Sequence, residues 1–99
     1  MVTYEVTIDV EPGLAAAFEH YMREEHIPAI FATGCFARID FEQASATRFR
    51  TRYQAARRED LERYLRDHTA RLRADLAARF PTGAAAAREI WTARQGWPS

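Results

Sequence analysis

Two segments of this chain alternate apolar and polar residues with a period of two, and that alternation limits the possible folds more than any other feature. Val2, Tyr4, Val6, Ile8 and Val10 interleave with Thr3, Glu5, Thr7 and Asp9. Thr47, Phe49, Thr51 and Tyr53 interleave with Arg48, Arg50, Arg52 and Gln54. Successive side chains of a strand point to opposite faces, so each segment reads as a strand with one buried and one solvated face. Glu11-Pro12-Gly13 ends the first with turn chemistry. Leu14, Phe18, Tyr21 and Met22 then follow helical spacing. Helix is expected to break at His26-Ile27-Pro28, because a residue before proline is pushed out of the helical region. Pro28 can open a short new turn, closed by Thr33-Gly34.

Cys35 to Phe41 reads as a second strand with Cys35, Ala37, Ile39 and Phe41 on one side, and Gln43 to Ser45 as a hairpin loop. Arg57 to Phe80 reads as one long helix whose inner stripe is Leu61, Leu65, His68, Leu72, Leu76 and Phe80. Its other side repeats opposite charges four apart through Glu59, Arg63, Asp67, Arg71, Asp75 and Arg79. Each such pair is worth about 0.2–0.5 kcal/mol. Pro81-Thr82-Gly83 stops the helix, and a last strand runs from about Ala85 to Ala93. Alternation leaves open whether Ile90 or Trp91 faces the core.

Two β-α-β halves of this size predict an α+β, ferredoxin-like β-α-β-β-α-β fold. Right-handed crossovers put the first and third strands in the centre of a four-stranded antiparallel sheet, with two helices on one face. Residues 1–94 are expected to form a single domain and 95–99 a C-terminal tail. The core takes Val6, Ile8, Ile39, Phe49, Leu65 and Leu72. The outer face takes Thr3, Glu5, Thr7, Asp9, Arg38, Asp40, Arg48, Arg50 and Arg52, with acids of the first strand beside arginines of the third.

Fourteen acids balance fourteen bases, so no overall charge draws the chain to nucleic acid or an anionic membrane. All the bases are arginine, in keeping with a GC-rich coding bias. Cys35, the one cysteine, allows neither an internal disulfide nor a cysteine-based zinc site and suits a reducing compartment. The N-terminus has no secretory pattern, and the longest uncharged stretch, Ile27 to Ala37, is too short to span a bilayer. A cytoplasmic location is expected.

The segment His26-Ile27-Pro28, four residues, then Thr33-Gly34-Cys35-Phe36 resembles the H-I-P-x-x-x-x-T-G-x-F signature of a small bacterial domain family of unknown function. Tyr4 and Val6 are similar to that family's opening strand. Asp60-Leu61-Glu62-Arg63-Tyr64-Leu65, with His68, Leu72, Arg79 and Phe80, resembles its second helix. The likeness runs from about Val2 to Trp91. It implies a ferredoxin-like fold and no established activity, so no catalytic role is assigned. Where family members tend to have tryptophan in the first helix, this chain has Phe18 and Tyr21.

Ligand-binding candidates are His26, His68, Tyr21 and Tyr64. His26, where the first helix is expected to end, could be an acid–base group at a pocket mouth. The plainer role is to satisfy free carbonyls at the helix end and to suit the dipole as a cation. His68 is expected to point inward, either hydrogen-bonded to a neighbour or serving as a pocket base. His20 and Glu24, four apart, could share a metal, but zinc takes at least three protein ligands and no third is near, so no metal is expected. No glycine-rich phosphate loop or nucleophile elbow is present, so no cofactor is expected.

Interface candidates are Glu5, Asp9, Arg48, Arg50 and Arg52. Three arginines on one strand face could clamp a carboxylate or phosphate. RNA binding on such a sheet needs outward aromatics, and Tyr4, Phe49 and Tyr53 point the other way, so no nucleic acid is expected. Pairing with Glu5, Asp9 and Asp40, within one sheet or across a homodimer, fits better. Two functions remain open. One is a dimeric ligand-binding or protein-interaction module. The other is a cofactor-independent, monooxygenase-like enzyme acting on a small organic substrate, which would need a substantial cavity with convergent polar groups.

Overall fold

A computed structural model describes residues 1–98. β1 (Val2–Val10) lies inside the sheet, paired antiparallel with β3 (Arg48–Ala55) on one side and β4 (Ala84–Thr92) on the other. β2 (Arg38–Ser45) pairs with β3 and forms the far edge, giving the order β2-β3-β1-β4. This is the ferredoxin-like arrangement: a four-stranded antiparallel sheet with helices on one face. Tyr4, Val6, Ile8, Phe49, Thr51 and Tyr53 are buried, as their alternation requires. No described helix is long and apolar enough to cross a membrane.

The second strand starts later than expected. Cys35 and Phe36 are both buried in the loop before β2, and β2 continues through Ser45 with a register shift between Gln43 and Ser45. An added residue in one strand bends it, which explains why the hairpin turn sits one or two residues beyond the predicted loop. Ile39 and Leu65, expected in the core, are only partly buried. The centre is aromatic instead. Phe18 is wholly buried between Phe49 at 5.3 Å and Phe80 at 5.7 Å, and Phe36 lies 4.9 Å from Tyr64.

Helix does not break at Pro28. After a 3-10 turn at Pro12–Leu14, α1 (Ala15–Tyr21) passes into a π turn at Met22–His26 and on into α2 (Ile27–Phe31) without leaving helical dihedrals. Pro28 has no N–H to return to Glu24, and its ring would crowd that carbonyl in an ordinary helix. Widening one turn removes the conflict: the Ile27 N–H donates to the Met22 carbonyl, five residues back. His26 is therefore mid-helix, not the helix end the sequence suggested. Thr33 Oγ1 donates to the Ile30 carbonyl at 2.6 Å, and Gly34 at φ 74° turns the chain away.

The second helical layer breaks instead. α3 (Arg58–Asp67) and α4 (Thr69–Arg79) meet at His68, whose φ of −127° is outside the helical range. That break removes the predicted charge relay. Arg63 pairs with Asp60, Arg66 with Asp67 and Arg79 with Glu25 on the neighbouring helix. The break also rotates Tyr64, not Leu65 or His68, into the core.

β4 is exposed along nearly all its length, and no helix packs closely on it. Its pairing settles the open choice. Ile90 lies opposite Tyr4 on the helix side, whereas Trp91 lies opposite Thr3 on the outer face. With no helix above them, Ile90 stays 44% exposed and Trp91 54%.

Candidate functional site

His26 stands in the wall between two depressions. The outer one is an open cleft of about 470 Å³ between the π turn and α4, lined by Tyr21, Glu25, His26, Asp75 and Arg79 among others. The inner one is a cavity of about 20 Å³ between helices and sheet, bordered by Tyr4, His26, Tyr64, Thr69, Arg73 and Arg88. That volume admits about one water molecule. The π turn aims His26 at both, because the widened turn carries its side chain inward where an α-helical turn would have rotated it.

The imidazole is only 7% exposed, and its Nδ1 has no hydrogen-bond partner. Burial lowers its pKa to about 4, Asp75 pulls weakly the other way, and Arg88 reinforces the lowering. The ring is thus neutral at neutral pH and leaves a buried polar atom available, which proteins seldom tolerate without use. This neutrality also removes the role of helix-terminal cation.

Tyr21 stacks at 5.7 Å from His26 and carries the Arg79 guanidinium over its own ring at 4.9 Å. Its pKa is raised by burial and by Asp75 and Glu25. Tyr64 borders the inner cavity with its pKa pushed up to about 12, burial being the main cause. Thr69 Oγ1 is buried near that hydroxyl and holds the Tyr64 pKa down a little against the effect of burial. Arg73 reaches down from α4 and donates to the Tyr4 hydroxyl at 2.9 Å.

Of the four ligand candidates, His26 borders both depressions, Tyr21 only the outer one and Tyr64 only the inner one. His68 is left out: it is half-exposed at the helix break, 3.3 Å from Arg71, and borders neither depression. Its expected inward position fails because the helix on which that position was counted is broken at His68 itself. Sequence reasoning missed Tyr4, Thr69, Arg73, Arg88 and Asp75. Tyr4 and Arg88 were assigned only to strands, and α4 residues could not be phased across an unforeseen break.

The outer sheet face carries the five interface candidates. Register sets Glu5 opposite Arg52, Thr7 opposite Arg50 and Asp9 opposite Arg48. Asp9 and Arg48 approach to 3.8 Å, but Arg50 turns to the other neighbour and holds Glu42 at 2.8 Å. Arg38 takes Asp40 at 2.9 Å, lowering the carboxyl's pKa through that hydrogen bond. Arg52 and Glu5 have no ion-pair partner among the described residues. The face is concave, with a depression of about 370 Å³ between Glu5, Thr7, Glu42, Arg48 and Arg50.

A family model described as a domain of unknown function, DUF4286, matches residues 1–93. The chain belongs to the DUF4286 family. A search of curated proteins finds no relative of this DUF4286 chain. Solved structures with the same fold include a point mutant of SnoaB, a cofactor-independent oxygenase from Streptomyces nogalater. It is 22% identical with a TM-score of 0.73, over 99% of this chain and 97% of that one. HapK from Hahella chejuensis is 16% identical with a TM-score of 0.74, over 100% and 99% of the two chains. An ethyl tert-butyl ether (EthD) family protein from Bacillus halodurans is 13% identical with a TM-score of 0.72, over 95% and 100%. At such identities the likeness concerns the fold alone.

Proposed function

We propose that this DUF4286 domain binds a small organic molecule at His26 and works as a homodimer joined through the outer face of its sheet. The supporting observation is the buried, neutral imidazole with an unpaired Nδ1, set in the wall of a cleft whose volume falls in the range of small-molecule sites. The aromatic wall that Tyr21 gives this cleft suits a planar ligand. The dimer reading rests on Trp91, Arg52 and Glu5, which leave an exposed aromatic and two unpaired charges on one face. The buried thiol of Cys35 suits the reducing cytoplasm.

A second reading, cofactor-independent catalysis, is favoured by the Arg73–Tyr4 contact beside His26. A hydroxyl polarised by a guanidinium stabilises charge developing on a substrate oxygen, and the neutral imidazole beside it can hydrogen-bond a substrate. The oxygenase activity of SnoaB, on the same fold, makes that chemistry a reasonable assay.

Binding is tested by following the imidazole Cε1–H resonances during titration with phenol, benzamide and benzoate, each to about 10 mM, where fragments of this size bind. The His26 signal should move with at least one probe while that of exposed His20 stays. No movement of His26 with any of the three would refute the reading.

A further inference from the structure

The two depressions differ in charge. The outer cleft has two carboxylates, Glu25 and Asp75, against one guanidinium, Arg79, which is already paired with Glu25 at 3.1 Å. The inner cavity has two guanidiniums, Arg73 and Arg88, and no carboxylate. Neither arginine is ion-paired among the described residues. They approach from different elements. Arg73 comes from α4 and Arg88 from the helix side of β4, where it lies opposite Val6. Both arginines are solvent-exposed, so water screens their mutual repulsion and an anion can reach them from outside. Two further residues that border the cavity, His26 and Thr69, each have a buried side-chain polar atom without a hydrogen-bond partner.

We propose that the gap between α4 and β4 is an anion site, in which Arg73 and Arg88 close on the carboxylate of a small organic acid whose apolar body rests on Ile90 and Ala86. This goes beyond the ligand-binding reading, because it concerns the inner side of His26 and not the outer cleft. Guanidinium groups hold carboxylates through paired, charge-assisted hydrogen bonds, and two of them match the two oxygens of one such head. The cavity of about 20 Å³ holds about one water, so at most one carboxylate oxygen enters it and the head group sits at its mouth between the two arginines. The body therefore lies outside it. Ala86 and Ile90 flank Arg88 on the same side of β4, opposite Ile8 and Tyr4, and both are exposed because no helix covers them. A strip of apolar strand leading to a cationic pocket suits an amphiphilic anion.

Benzoate and benzamide share shape and differ in charge, so they separate this proposal from the ligand-binding reading. Titrations of wild type, Arg73→Gln, Arg88→Gln and Arg58→Gln would follow His26 Cε1–H together with backbone amides of β4. Benzoate should bind wild type at least about tenfold more tightly than benzamide, and each cavity-arginine variant should lose at least about tenfold for benzoate alone. Arg58→Gln, an exposed position on α3 remote from the cavity, should behave as wild type. Arg88 has no described hydrogen bond to lose, so its variant tests the site even if Arg73→Gln loosens Tyr4. Equal binding of both probes at His26 would overturn the anion site and leave the ligand-binding reading intact. Benzoate binding that neither arginine variant weakens would overturn it as well. Silence from both probes would remove both proposals.

Discussion

Lowering the pH from about 7 to about 5 protonates a freely solvated imidazole, and the surroundings of His26 resist that proton. Its pKa is 6.5 when unperturbed and about 4 in the fold, chiefly because burial penalises the charged ring. A depressed pKa on a base means the unfolded chain binds more protons than the native one between those two values. Stability therefore falls as pH drops through 6.5 and levels off once the folded-state value near 4 is passed. The separation of the two values corresponds to about 3 kcal/mol when complete, and to about 2 kcal/mol of it by pH 5. Against a typical total of about 5–15 kcal/mol, that is a large fraction. Urea unfolding followed by far-UV circular dichroism at about pH 7, 6 and 5 would measure it, with His26→Gln as the comparison. The substitution should flatten the slope in this window whatever it does to stability at neutral pH. Asp40 and Asp67, whose pKa values are lowered by their arginine partners, add losses only at lower pH. Equal slopes in wild type and variant, or a folded-state His26 resonance that titrates near its solvated value, would refute the reasoning.

Other substitutions probe the rest of the fold. Phe18→Ala empties the space between Phe49 and Phe80 and should cost about 3–5 kcal/mol in urea unfolding. Gly83→Ala should be worse than Gly34→Ala. Both glycines have positive φ, but a Cβ at Gly83 meets Leu14 Cδ1 at 2.6 Å whereas one at Gly34 meets nothing within 4 Å; thermal melts would rank the two. Arg50→Ala should change stability by less than about 1 kcal/mol, because its pair with Glu42 is solvent-exposed. For the proposed dimer, Trp91→Ala and Arg52→Ala should raise the dissociation constant in sedimentation equilibrium more than Arg50→Ala does. Wild type sedimenting only as an 11.4 kDa species at micromolar concentration would refute the dimer.

The sequence by itself determined the two sheet faces, because side-chain alternation is local and survives any packing, and the strand order followed from the handedness of the two crossovers. Val2–Val10 and Arg48–Ala55 sit where their period of two puts them, with Phe49 and Tyr53 inward and Arg48 and Arg50 outward. It marked His26, Tyr21 and Tyr64 as chemically interesting. Only tertiary structure set Tyr21 and Tyr64 on the two sides of His26, because their phase depends on how two helical irregularities resolve. The π turn absorbs Pro28 and directs His26 inward. The break at His68 turns Tyr64 into the core and leaves His68 at the surface. The sequence contained the proline that forces the first of these, though not the choice between breaking and widening the helix, and it held no proline or glycine to announce the second. Arg73 and Arg88 are 15 positions apart on different elements, and nothing local relates them. Their shared cavity exists because the helical layer covers β1 and β3 and leaves β4 bare.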